Sequence, residues 1–226
     1  TVDGKGASYG AHENYLYPRS YDAEAVQAAL TVHFVTRQVY TGAGRVGLGE
    51  TGQSSGYQIS QRADYIETTV SLETTLNRGI INTRDEPHSG ETWARMHVII
   101  GDANLSEYAT FLKLGTTALV LDAVGAGADF SDLALHSPVE AVREVSRDLD
   151  CTRALRLYGN REMTAVQLQR EIRRRVIEAV PEADRVGHDG RVLELWGEIL
   201  DDLERDPAGT ADRLDWTAKL ALLNAY

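Results

Sequence analysis

The 226 residues are 42% hydrophobic, enough to bury one substantial core, and carry 34 acidic against 23 basic side chains, a formal net charge of −11. That balance excludes an extended nucleic-acid surface, because a phosphate backbone would be repelled, but it leaves room for a local basic pocket. Cys151 is the single cysteine and no apolar run reaches the roughly 18 to 20 residues that span a bilayer, so a cytoplasmic protein with no disulfide and no membrane partner is expected.

Residues 7–17 alternate small or aromatic with polar side chains and suit a strand, with His12 and Asn14 on one face and Glu13 and Tyr15 on the other. Asp22 is an N-cap for a helix over about 23–31 whose continuation reaches toward Tyr40. The glycine-rich stretch 41–57 reads as loop. Strand-like segments follow at about 57–62 and 65–73, the second alternating Ile66, Thr68, Val70 and Leu72 with Glu67, Thr69, Ser71 and Glu73. Apolar runs at 79–84 and 95–101 flank a charged loop from Asp85 to Thr92. From Ser106 the period turns helical, with Leu112, Leu114, Ala118, Leu119 and Leu121 leading to a glycine stop near 125–127. Further helices near 138–147, 164–180, 191–204 and 209–225 fill the last third, with Pro181 and Pro207 as stops.

Four polar clusters interrupt the strands: Ser8 to Tyr15, Ser60-Gln61-Arg62, Asn82 to His88, and His97 to Asn104. Each sets groups that are costly to bury alone among apolar neighbours, and a phosphate and metal site would satisfy them. Glu13 is a candidate magnesium ligand, with an ordinary ion pair as the alternative. Arg62 and Arg84 each follow a short strand and suit phosphate oxygens, against a structural salt bridge. His97 reads as a core histidine or a site residue, and Trp216 as a core aromatic or a nucleotide-pocket wall. The GAGRVG run at 42–47 lacks both a βαβ frame and a Lys-Ser or Lys-Thr ending, so it is neither a Rossmann turn nor a P-loop. No nucleophile paired with a base stands out around Cys151.

Taken in order, GASYGAHENYL (6–16), SQRADYI (60–66), IINTRDEPH (80–88) and HVIIGDAN (97–104), closing with Leu214-Asp215-Trp216, resemble the family of Pup ligases and Pup deamidases. SLETTLNRG (71–79) and FLKLGTTALVL (111–121) resemble the deamidase branch, in which Gly79 stands where the ligases have proline. The resemblance implies an α+β fold, a curved antiparallel sheet of glutamine-synthetase-like type backed by helices, with a helical C-terminal part. It implies ATP and Mg2+ as cofactors, with Glu13 on the metal, Arg62 and Arg84 on phosphates, His97, Asn104 and Trp216 around the nucleotide, and His12 and Asn14 as weaker candidates on the opposite face. The implied reaction is hydrolysis of the glutamine amide at the C-terminus of Pup, or of the isopeptide bond joining Pup to a lysine. Ligation of Pup, or binding of Pup or nucleotide without turnover, are the alternatives. Residues 1–226 would form the central and C-terminal portion of one large domain, sheet-rich over about 1–104 and mainly helical over about 105–226. The resemblance places further metal-binding glutamates and the catalytic aspartate before Thr1, and a small domain after Tyr226. Pup, pupylated proteins and a companion polypeptide carrying the first strand are therefore the expected partners.

Overall fold

The structure is a computed structural model and describes residue 5 and residues 8–72, 76–83 and 90–226. Its main sheet has four strands in the order β1 (Glu13–Pro18), β6 (Trp93–Val98), β5 (Gly79–Asn82) and β4 (Thr68–Ser71). β1 and β5 both run antiparallel to β6, whereas β4 lies parallel to β5, a departure from the expected all-antiparallel sheet.

Helix α1 (Ala23–Thr36) packs behind this sheet and is capped by Asp22, whose carboxylate accepts from the Glu24 and Ala25 amides at 2.8 and 3.3 Å. Val26, Ala29, Leu30, Val32, Phe34 and Val35 are all buried, as expected of a helix enclosed on every side. The helix breaks at Arg37 and resumes as the single turn α2 (Gln38–Thr41). α3 (Glu107–Gly125) lies alongside, with Ser106 as its N-cap. α4 (Pro138–Arg147), α5 (Ala165–Ala179), α6 (Asp189–Arg205) and α7 (Asp215–Asn224) complete the helical side around Trp196 and Trp216. Thr164 and Gln167 close a capping box at the start of α5.

Three expectations shift. The glycine-rich stretch is a hairpin, β2 (Arg45–Leu48) against β3 (Ser54–Gln58), with a register irregularity between Val46 and Leu48. Gly47, Gly49 and Gly52 hold positive φ there, which lets the chain reverse tightly and still pair. The strand expected over 57–62 stops at Gln58, because Ala63–Tyr65 forms a 3-10 turn. The helix expected over 209–225 begins at Asp215, since Pro207–Thr210 makes a separate 3-10 turn capped by Asp206. A small hairpin, β7 (Ala154–Arg156) with β8 (Glu162–Thr164), was not anticipated. Among the described residues no helix is long and apolar enough to cross a membrane.

Candidate nucleotide site

The two faces of β1 and β6 have opposite characters. Cross-strand partners Glu13 and Val98, Tyr15 and Met96, and Tyr17 and Ala94 face the helices, while Asn14 and His97, Leu16 and Arg95, and Pro18 and Trp93 face away. Asn82 of β5 lies opposite His97. On this open face the Asn14 side-chain oxygen lies 2.9 Å from His97 Nδ1 and accepts from Arg95 Nη1 at 2.8 Å. The His12 ring stands edge-on to His97, centroids 5.2 Å apart. Partial burial first, and the Arg62 charge second, push the His12 imidazole pKa below its ordinary value. A neutral ring at neutral pH keeps a lone pair for a hydrogen or a metal ion.

Arg62 enters beside these groups. Its side chain lies so close over Gly10 that a Cβ there would come within 2.3 Å of Arg62 Cδ and 2.5 Å of the Gly101 carbonyl. Nη1 donates to the Ser8 carbonyl and hydroxyl at 3.2 and 3.3 Å, and Nε is buried without a partner among the described residues. Burial lowers the Arg62 pKa despite the opposing effect of Asp102. A buried guanidinium with an unused donor, beside bare glycine backbone, fits a phosphate.

Beneath the open face, the 101–104 turn is tied inward. Asp102 is fully buried and accepts from the Ala43 and Gln61 amides at 2.8 and 2.9 Å and from the Ser60 hydroxyl at 3.0 Å. Burial still raises its pKa. Lys113 of α3 donates to the Asp102 carbonyl and to Asn104 Oδ1 at 2.8 and 2.9 Å, and burial lowers its pKa.

The structure therefore divides the sequence-derived candidates. His12, Asn14, His97 and Arg62 come together at the open face. Glu13 does not join them: it is 5% exposed on the helix side, and Arg37 Nη2 and Nη1 hold its two oxygens at 2.6 and 3.0 Å. Tyr15 donates to the same carboxylate, so the ion-pair alternative describes Glu13 here. Asn104 also points inward, donating to the Thr41 carbonyl and Asp215, and Trp216 is buried with its indole N–H on the Val39 carbonyl at 2.8 Å. The β-strand parity of 12 to 15 was legible, but the face that is buried was not: Glu13 turns to the helix side, where it meets Arg37, two dozen positions away. Arg84 lies outside the described residues. Reasoning from sequence missed Arg37 and Lys113, although an isolated cation inside an apolar helical run was the available signal. Among the described residues no three His, Cys, Asp or Glu side chains group as a metal cage.

The model of the family described as Pup-ligase protein matches residues 1–226. A Pup deamidase/depupylase of Mycolicibacterium smegmatis is 56% identical over 226 residues, all of this chain and 45% of that protein. A Pup–protein ligase of Nocardia farcinica is 44% identical over 227 residues, again all of this chain and 50% of the relative. The chain thus spans about half the length of the curated relatives it matches. Among solved structures, the Pup ligase PafA in complex with ADP superposes with a TM-score of 0.84 at 38% identity, over 99% of this chain and 51% of that one. The complex between Pup and PafA gives 0.84 at 37% identity, over 99% and 46%.

Proposed function

This chain belongs to the Pup-ligase family, and from that membership we propose that it is the nucleotide-binding part of a Pup deamidase/depupylase. Water would hydrolyse the C-terminal glutamine amide of Pup to glutamate and ammonia, or the Pup–lysine isopeptide bond to the free lysine. The observation that carries this reading is the gradient of identity, 56% to a deamidase/depupylase against 44% to a ligase over the same full span. The second reading, a Pup–protein ligase, draws on the two ligase structures that share the fold.

ATP and Mg2+ are the proposed cofactors, supported by the ADP in the PafA complex and by the unused Arg62 donor. Bound there, the nucleotide would supply a magnesium-carried phosphate beside the amide. Arg62 would neutralise phosphate charge, with Arg84 proposed as its counterpart, and the hydrogen-bonded pair His97 and Asn14 would line the nucleotide beside it. His12 would present its neutral ring to the cation. Glu13 would act on a metal only after giving up an oxygen held by Arg37, which makes it a supporting residue in the arrangement seen. Pup itself is the proposed partner, through the likeness to the Pup–PafA complex.

Incubation of this chain, together with the companion polypeptide expected to carry the first strand and the catalytic aspartate, with ATP, Mg2+ and Pup ending in glutamine tests the reading, with mass spectrometry following glutamine to glutamate. Ammonia release with no Pup–lysine product is expected. Covalent attachment of Pup ending in glutamate to a lysine would establish the ligase instead. At the site, Arg62→Ala should weaken nucleotide binding by about 1.5–3 kcal/mol, the range for hydrogen bonds to charged groups. Unchanged affinity in calorimetry would remove Arg62 from the phosphate role.

A further inference from the structure

Strand β1 has a pattern that does not by itself choose its buried face. Its inward row is Glu13, Tyr15 and Tyr17, while its outward row includes Leu16, 59% exposed, and Pro18. By hydrophobicity alone, turning Leu16 and Pro18 inward and Glu13 outward would make at least as good a strand, and a shift of one residue would produce that arrangement. We infer that the buried Glu13–Arg37 ion pair is the lock that fixes the facing of β1, and that Arg37 is thereby a positioning residue for His12 and Asn14. This inference rests on the reading of the open face as the nucleotide site.

The geometry supports a lock more than a general stabiliser. Arg37 sits at the break between α1 and α2, 2% exposed. Besides gripping both Glu13 oxygens, its Nη1 donates to Thr117 Oγ1 at 2.6 Å and to the Lys113 carbonyl at 3.2 Å, and its guanidinium stacks on Phe34, 4.5 Å from the ring centroid. Glu13 is therefore referenced to α1 and α3 at once. Gly101 fits tightly against the carboxylate, since a Cβ there would stand 2.4 Å from Glu13 Oε1. A one-residue shift would remove the counter-ion from a buried guanidinium, a strongly penalised state. A polar group that fixes register is the best-attested use of a buried ionic contact. The two residues that flank Glu13, His12 and Asn14, must then point at the open face.

A cross-strand disulfide reads the facing directly. Asn14 and His97 are directly opposite, antiparallel partners have Cα atoms about 4.5–5.5 Å apart, within disulfide reach, and the native Cys151 is buried. With Arg37 present, N14C/H97C is expected to cross-link in a glutathione redox buffer. Arg37→Met should cut the yield at least fivefold and, in the otherwise native chain, weaken ADP–Mg2+ binding at least tenfold. Arg37→Lys keeps the charge but loses the two-pronged grip, and it should cut the cross-link at least threefold should the Met variant fail to fold. Glu13→Leu with Arg37→Met replaces the ionic lock by an apolar one and should restore the cross-link to within twofold of its original yield. Unchanged cross-linking in the Met or Lys variant, or no recovery in the double variant, would overturn the lock. Cross-linking that behaves as stated in a chain that binds no nucleotide would instead leave the lock standing and reject the nucleotide site.

Discussion

Arg62 and Asp102 show how the site is built from single residues. Arg62 reaches the open face only because Gly10 leaves bare backbone beneath it. Asp102 does not touch that face, yet its carboxylate gathers the Ala43, Gln61 and Ser60 donors that hold the ends of three segments together. Asp102→Ala would leave these donors without a partner, and we expect a loss of roughly 3 kcal/mol or more, at about 1–3 kcal/mol for each orphaned buried group. Urea unfolding measures it, and a loss below about 1 kcal/mol would show that water replaces the carboxylate. Both residues lie in polar clusters, SQR and GDAN, that stand out between strands in the sequence. Their division of labour does not, because it depends on which neighbours each meets across the fold. Glu13 is the clearest case: parity placed it opposite Asn14, but only the Arg37 guanidinium decides which of the two is buried.

At the scale of elements, helices were read more faithfully than the sheet. α3, α4 and α5 begin and end close to their expected positions because caps, proline and 3.6-residue periodicity are local signals. The glycine-rich hairpin reads as loop in the sequence because glycine signals backbone freedom without saying whether the freed chain pairs. Here Asp64 organises it, accepting from the Gly49 amide and the Gln58 amide group at 2.8 Å each and from Arg147 at 2.7 Å. The parallel pairing of β4 with β5 depends on contacts that no short window contains. α5 carries a testable acid response. Hydrogen bonds from Arg175 and Arg161 lower the Asp132 pKa to about 2, and those from Arg174 and Arg175 lower that of Glu171 to about 2. Both carboxylates are depressed in the folded state, so their stabilisation is present above the ordinary carboxylate range and is lost as pH falls through about 4 toward 2. Partial exposure limits each to about 1 kcal/mol or less. Urea midpoints should fall between about pH 5 and about pH 2 in the native chain and fall less in D132N/E171Q. Equal slopes would mean these pairs contribute nothing.

Across the whole molecule, the first turn of α7 joins the sheet side to the helical side. Asp215 accepts from Asn104 Nδ2 at 2.7 Å and from the Leu105 and Ser106 amides at 2.9 and 3.2 Å, while the Trp216 carbonyl receives the Tyr57 hydroxyl at 2.7 Å. Asp215→Ala should therefore destabilise the chain by about 1–3 kcal/mol and loosen the 101–104 turn, because three part-buried donors on the 104–106 segment lose their shared acceptor. Hydrogen exchange should show faster exchange at Leu105 and Ser106, and protection equal to the native chain would remove Asp215 from this role. The α+β class and the sheet backed by helices were readable from alternating strands followed by helical stripes. The joining role of α7 was not, since its partners lie more than a hundred positions upstream.

The proposed site requires His12, Asn14, Arg62 and His97 to face one bound nucleotide. The most direct measurement is the imidazole NMR spectrum during titration with ADP and Mg2+. His12 and His97 are predicted to shift together and saturate with one dissociation constant, while His33, His136 and His188 stay in place. Nucleotide that binds without moving His12 and His97, or that moves His136 or His188 instead, would contradict it.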